Sequence, residues 1–271
     1  METGRTNKIQ SNTFNLDLAS EYQLLVQIGL EQFAYCISNI NTNNIEYFKS
    51  FITNNDITKI ISTDEILRLK FIRSSIAFAN FPHTLVPDKV FSENNKKEIL
   101  ELNSDTYEII DSDKLTGIDA HLIYTIPKEI NDIIYTFFPD AQRFSQQTIL
   151  IEQFNTMDNQ GDNAYLYINA GTLHITIFRD KKLIFNNSFS FNTKEDILYF
   201  TLFVFEQLKL DTETVNTILY GEILEKDKNH QLLYEYIRNI RFGSKPKKLK
   251  FSEEFNNIKA HQFYPLFSQI R

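Results

Sequence analysis

The sequence predicts an α/β fold built from two copies of one unit, each running strand, strand, strand, helix, strand, helix. Two stretches carry this prediction. Within residues 164–191, Tyr165, Tyr167, Ile175, Ile177, Phe178, Leu183, Ile184, Phe185, Phe189 and Phe191 form three short β-branched or aromatic runs. The runs are broken at Gly171-Thr172 and at Arg179-Asp180-Lys181, as in a tight three-strand meander. From Thr193 the period becomes helical, with Ile197, Phe200, Leu202, Phe203, Phe205 and Leu208 on a largely buried helix. Asn192 or Thr193 caps it, and Glu195 and Asp196 complement the dipole of its first turn. The second observation is that the first part of the chain repeats this order.

Residues 1–20 are polar, with isolated Phe14, Leu16 and Leu18, and read as a loose arm without a secretory or transit signal. Tyr22, Leu24, Leu25, Val26 and Ile28 make a buried strand that ends at Gly29. Phe33, Tyr35 and Ile37 share one face of a second strand, 41–44 is turn material, and Ile45, Tyr47, Phe48 and Phe51 make a third. A helix is expected from Ser62 or Thr63 to about Asn80, with Glu65 at capping-box spacing from Ser62. Leu85-Val86, between Pro82 and Pro87, reads as a short strand, 93–102 as a charged helix, and 107–110 and 121–126 as strands. A helix starting at Pro127 carries Ile130, Ile133, Ile134, Phe137 and Phe138 on one face. Residues 146–154 are helical, and 155–163, polar and containing Gly161, form a linker. After the second βββα pattern come a strand at 217–220, a helix at 231–240 and a basic edge strand or loop at 245–251. Phe263, Tyr264, Leu266 and Phe267 need a surface, which the second domain offers more readily than a partner on which they would act as a hook. The expected division is an arm at 1–20 and domains at 21–157 and 158–271.

The 271 residues suffice to bury roughly three quarters of the unfolded surface. Net charge is −7 and the pI near 5.3, which argues against non-specific nucleic-acid binding. Cys36 is the only cysteine, so an internal disulfide and a cysteine-based zinc site are excluded and a reducing, cytoplasmic home is expected. The most apolar window, 197–205, is far shorter than the roughly 20 residues that cross a bilayer.

The two halves align at Gln27-Ile28-Gly29 with Asn169-Ala170-Gly171, at Phe33 and Tyr35 with Ile175 and Ile177, and at 63–67 with 193–198. Duplicated βββαβα units of this kind resemble the actin-like ATPase superfamily, whose halves are each ribonuclease-H-like mixed sheets with flanking helices. More closely, the chain is similar, from about Tyr22 onward, to a Bacteroidota family recorded as domain-of-unknown-function family 3822, which shares that fold. The resemblance implies an interlobe nucleotide cleft with an Asp-x-Gly turn after the first strand of each half. Carboxylates there hold magnesium, and glycine lets backbone N–H groups reach phosphate oxygens. Here both turns keep the glycine, Gly29 and Gly171, followed in the second by Thr172, while Gln27 and Asn169 stand where the carboxylates would be. A paired-glycine adenine turn is matched only by Tyr220-Gly221-Glu222. The expectation is a vestigial cleft with no bound cofactor and no catalysis, in a cytoplasmic protein that binds another protein, as actin-like adaptors of bacterial envelope and division machines do. The alternative is an ATP-magnesium binder or phosphotransferase in which Asn169, Thr172 and Gly29 still cradle a phosphate.

No G-x-x-x-x-G-K-[ST], H-E-x-x-H or G-x-S-x-G occurs. His83, His121, His174, His230 and His261 have no ligand spacing and read as ordinary surface or satisfied histidines rather than a metal site. Arg238, Arg241, Lys245, Lys247, Lys248 and Lys250 form the one basic cluster, either a lysine-guarded sheet edge or, in a second alternative function, a surface for RNA. Glu222, Glu225 and Asp227 read as solvated charges rather than a carboxylate site.

Overall fold

The computed structural model describes residues 6–30, 32–52, 57–102 and 106–270. The first lobe opens with β1 (Thr6–Gln10), β2 (Tyr22–Ile28), β3 (Gln32–Asn39) and β4 (Ile45–Ile52), followed by the short α1 (Ile57–Thr63) and β5 (Arg73–Phe78). An excursion follows, comprising β6 (His83–Pro87), α2 (Lys96–Glu101), β7 (Ile109–Lys114) and β8 (Ala120–Ile126). It makes its own three-stranded sheet in the order β6-β8-β7. The chain then returns through α3 (Lys128–Phe137) and β9 (Gln142–Ser145), completing a sheet of order β1-β4-β3-β2-β5-β9. α4 (Gln146–Asn155) leads to the second lobe, β10 (Asp162–Asn169), β11 (Thr172–Arg179), β12 (Lys182–Ser190), α5 (Lys194–Gln207), β13 (Asn216–Gly221), α6 (Lys228–Tyr236) and β14 (Asn239–Phe242). Its sheet runs β12-β11-β10-β13-β14, and α7 (Tyr264–Phe267) closes the described chain. Both sheets are mixed. Four antiparallel strands in the first and three in the second are followed by two parallel additions, β5 beside β2 and β9 beside β5, and β13 beside β10 and β14 beside β13.

Two cores lie on opposite faces of each sheet. The outer face of the first packs Leu24, Val26 and Ile76 against Ile61 of α1 and Ile130 and Ile134 of α3. The outer face of the second packs Leu166, Ile175 and Leu219 against Ile197 and Phe205 of α5 and Leu233 of α6. The inner faces are covered by exchange. α4, which follows the first lobe, lays Leu150 and Phe154 against Tyr165, Tyr167 and Tyr220 of the second. The C-terminal segment, which follows the second lobe, lays Leu249, Phe255, Leu266, Phe267 and Ile270 against Leu25, Cys36 and Phe48 of the first.

Five expectations are corrected. The arm is not loose throughout, because β1 pairs antiparallel with β4, Ile9 opposite Phe48 and Asn7 opposite Ser50, while residues 1–5 lie outside the described ones. The helix expected over 63–80 is instead α1, a 3-10 turn at Ile66–Arg68 and strand β5. β5 lies between β2 and β9 with its last four residues buried, and its apolar end Ile76-Ala77-Phe78, read together with the apolar residues of 66–72, mimics a buried helix. The strand at 85–86 exists as part of β6 but belongs to the inserted sheet. Over 231–240, α6 ends at Tyr236 and Asn239 starts β14, a four-residue parallel strand. Finally, the C-terminal aromatics pack on the first lobe: Phe263 and Phe267 meet Phe48 at 4.7 and 5.7 Å, and Tyr264 alone reaches the second, 4.5 Å from Tyr220.

Candidate functional site

Parallel strands β2, β5, β10 and β13 all point their C-terminal ends at the space between the lobes, where α/β sheets place ligands. On the second-lobe side, Asn169 pairs with Thr172, leaving Ala170 and Gly171 as a two-residue turn with φ of +46° and +71°. Positive φ at both positions defines the hairpin turn that follows strand twist, and it explains the glycine. The Ala170 N–H donates to Oε2 of Glu222 at 3.1 Å. Glu222 therefore places a carboxylate where this turn would offer its amide to a phosphate.

On the first-lobe side the register differs from the one expected. The Gly29 N–H donates to the Gln32 carbonyl at 2.9 Å, so Gly29 stands opposite Gln32 as Asn169 stands opposite Thr172. The next strand agrees, because Ile28 O accepts from Ala79 N as Ile168 O accepts from Glu222 N. By hydrogen-bond pattern Gln27 corresponds to Tyr167, and Gly29 to Asn169. The two-residue slip keeps every side chain on its face, so alternation in the sequence cannot reveal it. Gly29 has another role: a Cβ there would stand 2.9 Å from the Ala79 carbonyl, so it is a close-packing glycine and not a turn glycine. The match of Thr63 with Thr193 fails too. Thr193 caps α5 in a capping box with Asp196, whereas Thr63 lies in the last turn of α1 and donates to Lys59 O at 2.7 Å.

Gln27 and Asn169 nonetheless meet through Gln32. Its Oε1 accepts from Asn169 Nδ2 at 3.0 Å and from Gln27 Nε2 at 3.4 Å, and Asn169 Nδ2 also donates to the Tyr167 hydroxyl at 2.8 Å. Gln27 and Asn169 are 1% and 3% exposed, so this amide bridge is an interior floor joining the lobes. Asn80, at φ +60°, extends it: Nδ2 donates to Asn169 O at 3.3 Å, and Oδ1 stands 2.9 Å from His174 Nε2. Gln146, the first residue of α4, reaches the same Asn80 oxygen at 3.5 Å. Burial and the neighbouring His83 depress the His174 pKa to about 3, burial depresses that of His83, and burial pushes the Tyr167 phenol up. This floor is therefore uncharged.

Gly221 is packed beneath Ile168, where any Cβ would overlap the Ile168 carbonyl, and its N–H donates to His261 O at 2.9 Å. That leaves no open adenine turn. A magnesium-phosphate pair does not fit these residues, since Gly29 and Asn169, equivalent by hydrogen-bond pattern, supply no carboxylate for a hard cation, the nearby Gln27 is a neutral amide, and Glu222 occupies the turn amide. Among the described residues no group of three His, Cys, Asp or Glu side chains is placed to hold a metal.

The remaining sequence candidates separate. His83 and His174 stack across the lobes, 6.0 Å between ring centroids. His121 stacks on Phe91, His230 accepts from Lys226 N, and His261 contacts Ile223 O. Asp227 caps α6 through the His230 N–H. Lys250 bridges to Asn44, and Lys248 donates to Ile270 O, so 245–251 is a partly anchored loop. Sequence reasoning missed Gln32, Asn80, Gln146 and Tyr167. Recognising β5 as a strand would have pointed to Asn80, which sits just past its C-terminal end.

The family model described as protein of unknown function (DUF3822) matches residues 11–240. The chain belongs to that family. The DUF3822 chain is similar to a Bacteroides thetaiotaomicron protein of actin-like ATPase fold and unknown function, at 22% identity over 94% of this chain and 99% of that one, with a TM-score of 0.80. It is similar to the PilM-PilN type IV pilus biogenesis complex at 12% identity, 91% and 95% coverage and a TM-score of 0.57. The ethanolamine utilization protein EutJ from Carboxydothermus hydrogenoformans follows at 8% identity, 96% and 91% coverage and a TM-score of 0.50. These likenesses establish an actin-like ATPase fold of two mixed-sheet lobes. No curated protein matches the sequence. Among the described residues no helix is long and apolar enough to cross a membrane.

Proposed function

We propose that this DUF3822 protein is a cytoplasmic, non-catalytic adaptor that keeps the actin-like scaffold for binding another protein. The observation that carries this reading is the amide bridge from Gln27 through Gln32 to Asn169, reinforced by Glu222 on the Ala170 amide. The amides of Gln27 and Asn169 give their N–H groups to Gln32 and leave only neutral oxygens toward a cation, and Glu222 takes the turn N–H that a phosphate would need. The likeness to PilM, solved in complex with PilN, supports a protein as the partner. Calorimetry with magnesium-ATP tests the reading. No saturable heat is expected from the natural chain, and a micromolar affinity that weakens in Gly171→Glu would overturn it in favour of a nucleotide binder.

A further inference from the structure

A groove of about 440 Å³ opens beside the amide floor, between β6 of the inserted sheet and β12 of the second lobe. Its volume lies within the ~300–1,000 Å³ range of small-molecule sites. On β12, Asn186, Ser188 and Ser190 stand opposite Thr176, His174 and Thr172 of β11 and so share one face. His83 and Thr84 form the facing wall, and no Asp, Glu, Lys or Arg among the described residues lines the groove.

Hydroxyls of Thr84, Thr172, Ser188 and Ser190 line it, and three buried acceptor atoms on its walls have no partner. Asn186 gives its amide N–H to Thr176 Oγ1 at 2.9 Å, which leaves Oδ1 without a partner. His83 Nδ1 is committed to the Phe81 carbonyl at 3.1 Å, and Nε2 is unpartnered. His174, only 3% exposed, places Nε2 against Asn80 Oδ1 at 2.9 Å, nearer than the 3.4 Å contact from Gln146, so Nε2 carries the proton and unpartnered Nδ1 is a lone pair. Both rings are neutral, because burial depresses their pKa values. Three acceptors from two lobes thus lie shielded from bulk solvent with no protein donor to meet them, a costly arrangement unless an ordered water or the hydroxyl of a ligand supplies one.

We propose that this groove binds a small uncharged polyhydroxyl compound, a sugar or cyclitol, whose O–H groups donate to Asn186 Oδ1, His83 Nε2 and His174 Nδ1. An anion would face three lone pairs with no cation beside it. An organic cation would lose hydration without gaining a carboxylate.

The test is an NMR titration of the full chain with ¹⁵N-labelled histidine, adding myo-inositol, glucose and glycerol separately at constant pH. A saturable upfield shift of the acceptor nitrogens is expected with at least one of them. Asn186→Leu and Ser188→Val, each checked for an unchanged melting temperature, should weaken that binding about tenfold. The proposal fails if none of the three compounds gives a saturable shift, if both folded variants bind as the natural chain does, or if only zinc alone moves the two rings. Magnesium-ATP binding would sink the adaptor reading and leave this result to stand or fall on its own.

Discussion

The two lobes share one strand order and finish it differently. In the second, the 14-residue α5 covers the outer face and β12 is left as an open edge; in the first, the equivalent helix α1 has 7 residues, and β1 adds a strand to the equivalent edge of β4. What the short helix leaves is filled by a 3-10 turn at Ile66–Arg68, which brings in Leu67. A lobe that follows local patterning closely needs little help from elsewhere. The other draws its cover from remote parts of the chain, and this difference decides where perturbation should hurt.

The largest expected effect sharpens the contrast between glycines. Gly221→Ala should destabilise by about 4 kcal/mol or more, because its Cβ would overlap the Ile168 carbonyl at φ +88°. Gly171→Ala, at φ +71° but 3.7 Å from its nearest neighbour, should cost only about 1 kcal/mol. Urea melts of the two variants check the ordering, and equal losses would show that backbone conformation, not packing beneath Ile168, governs both sites.

The next effect concerns acid, and it tests whether the interlobe floor is uncharged. The folded His174 resists protonation down to about pH 3, against 6.5 for an ordinary histidine. Between these values the unfolded chain binds the extra proton, so the stability contribution is complete above pH 6.5 and is lost as pH falls toward 3. The slope from this residue is about 1.4 kcal/mol per pH unit. Melts across that range should flatten by this amount in His174→Gln, and an unchanged slope would mean that the imidazole is not held neutral.

The smallest effect breaks the apparent repeat. Thr193→Ala should cost about 1 kcal/mol, since Thr193 Oγ1 accepts from Asp196 N at 3.2 Å as the cap of α5. Thr63→Ala, in the last turn of an exposed helix end, should stay within about 0.5 kcal/mol. Thermal melts that gave both variants the same loss would restore the local alignment that the hydrogen bonds reject.

These predictions trace how far local sequence reaches. The β10–β12 meander, the capped α5 and the Asn169–Thr172 turn were readable because each depends on neighbours in sequence: alternation, a threonine three residues before an aspartate, and a glycine at positive φ. β5 and β14 were not, because short parallel strands take their identity from partners tens of residues away. The site divides in the same way. Amides at Gln27 and Asn169 were visible, but the bridge between them runs through Gln32, whose position follows from a hairpin register that alternation leaves undetermined. Asn80 was hidden by the misread strand before it. The acceptor surplus at His83, His174 and Asn186 exists only once the inserted sheet faces β12.

The exchanged cover of the inner faces sets an order of assembly. Leu25, Cys36 and Phe48 wait for Phe255, Leu266 and Phe267, more than 200 positions later, so on a ribosome the N-terminal half cannot mature before the C-terminal half emerges. Until then its greasy underside is a target for chaperones and for self-association. The lone thiol of Cys36, sealed once the tail docks, would time that final step by ceasing to react with alkylating reagents.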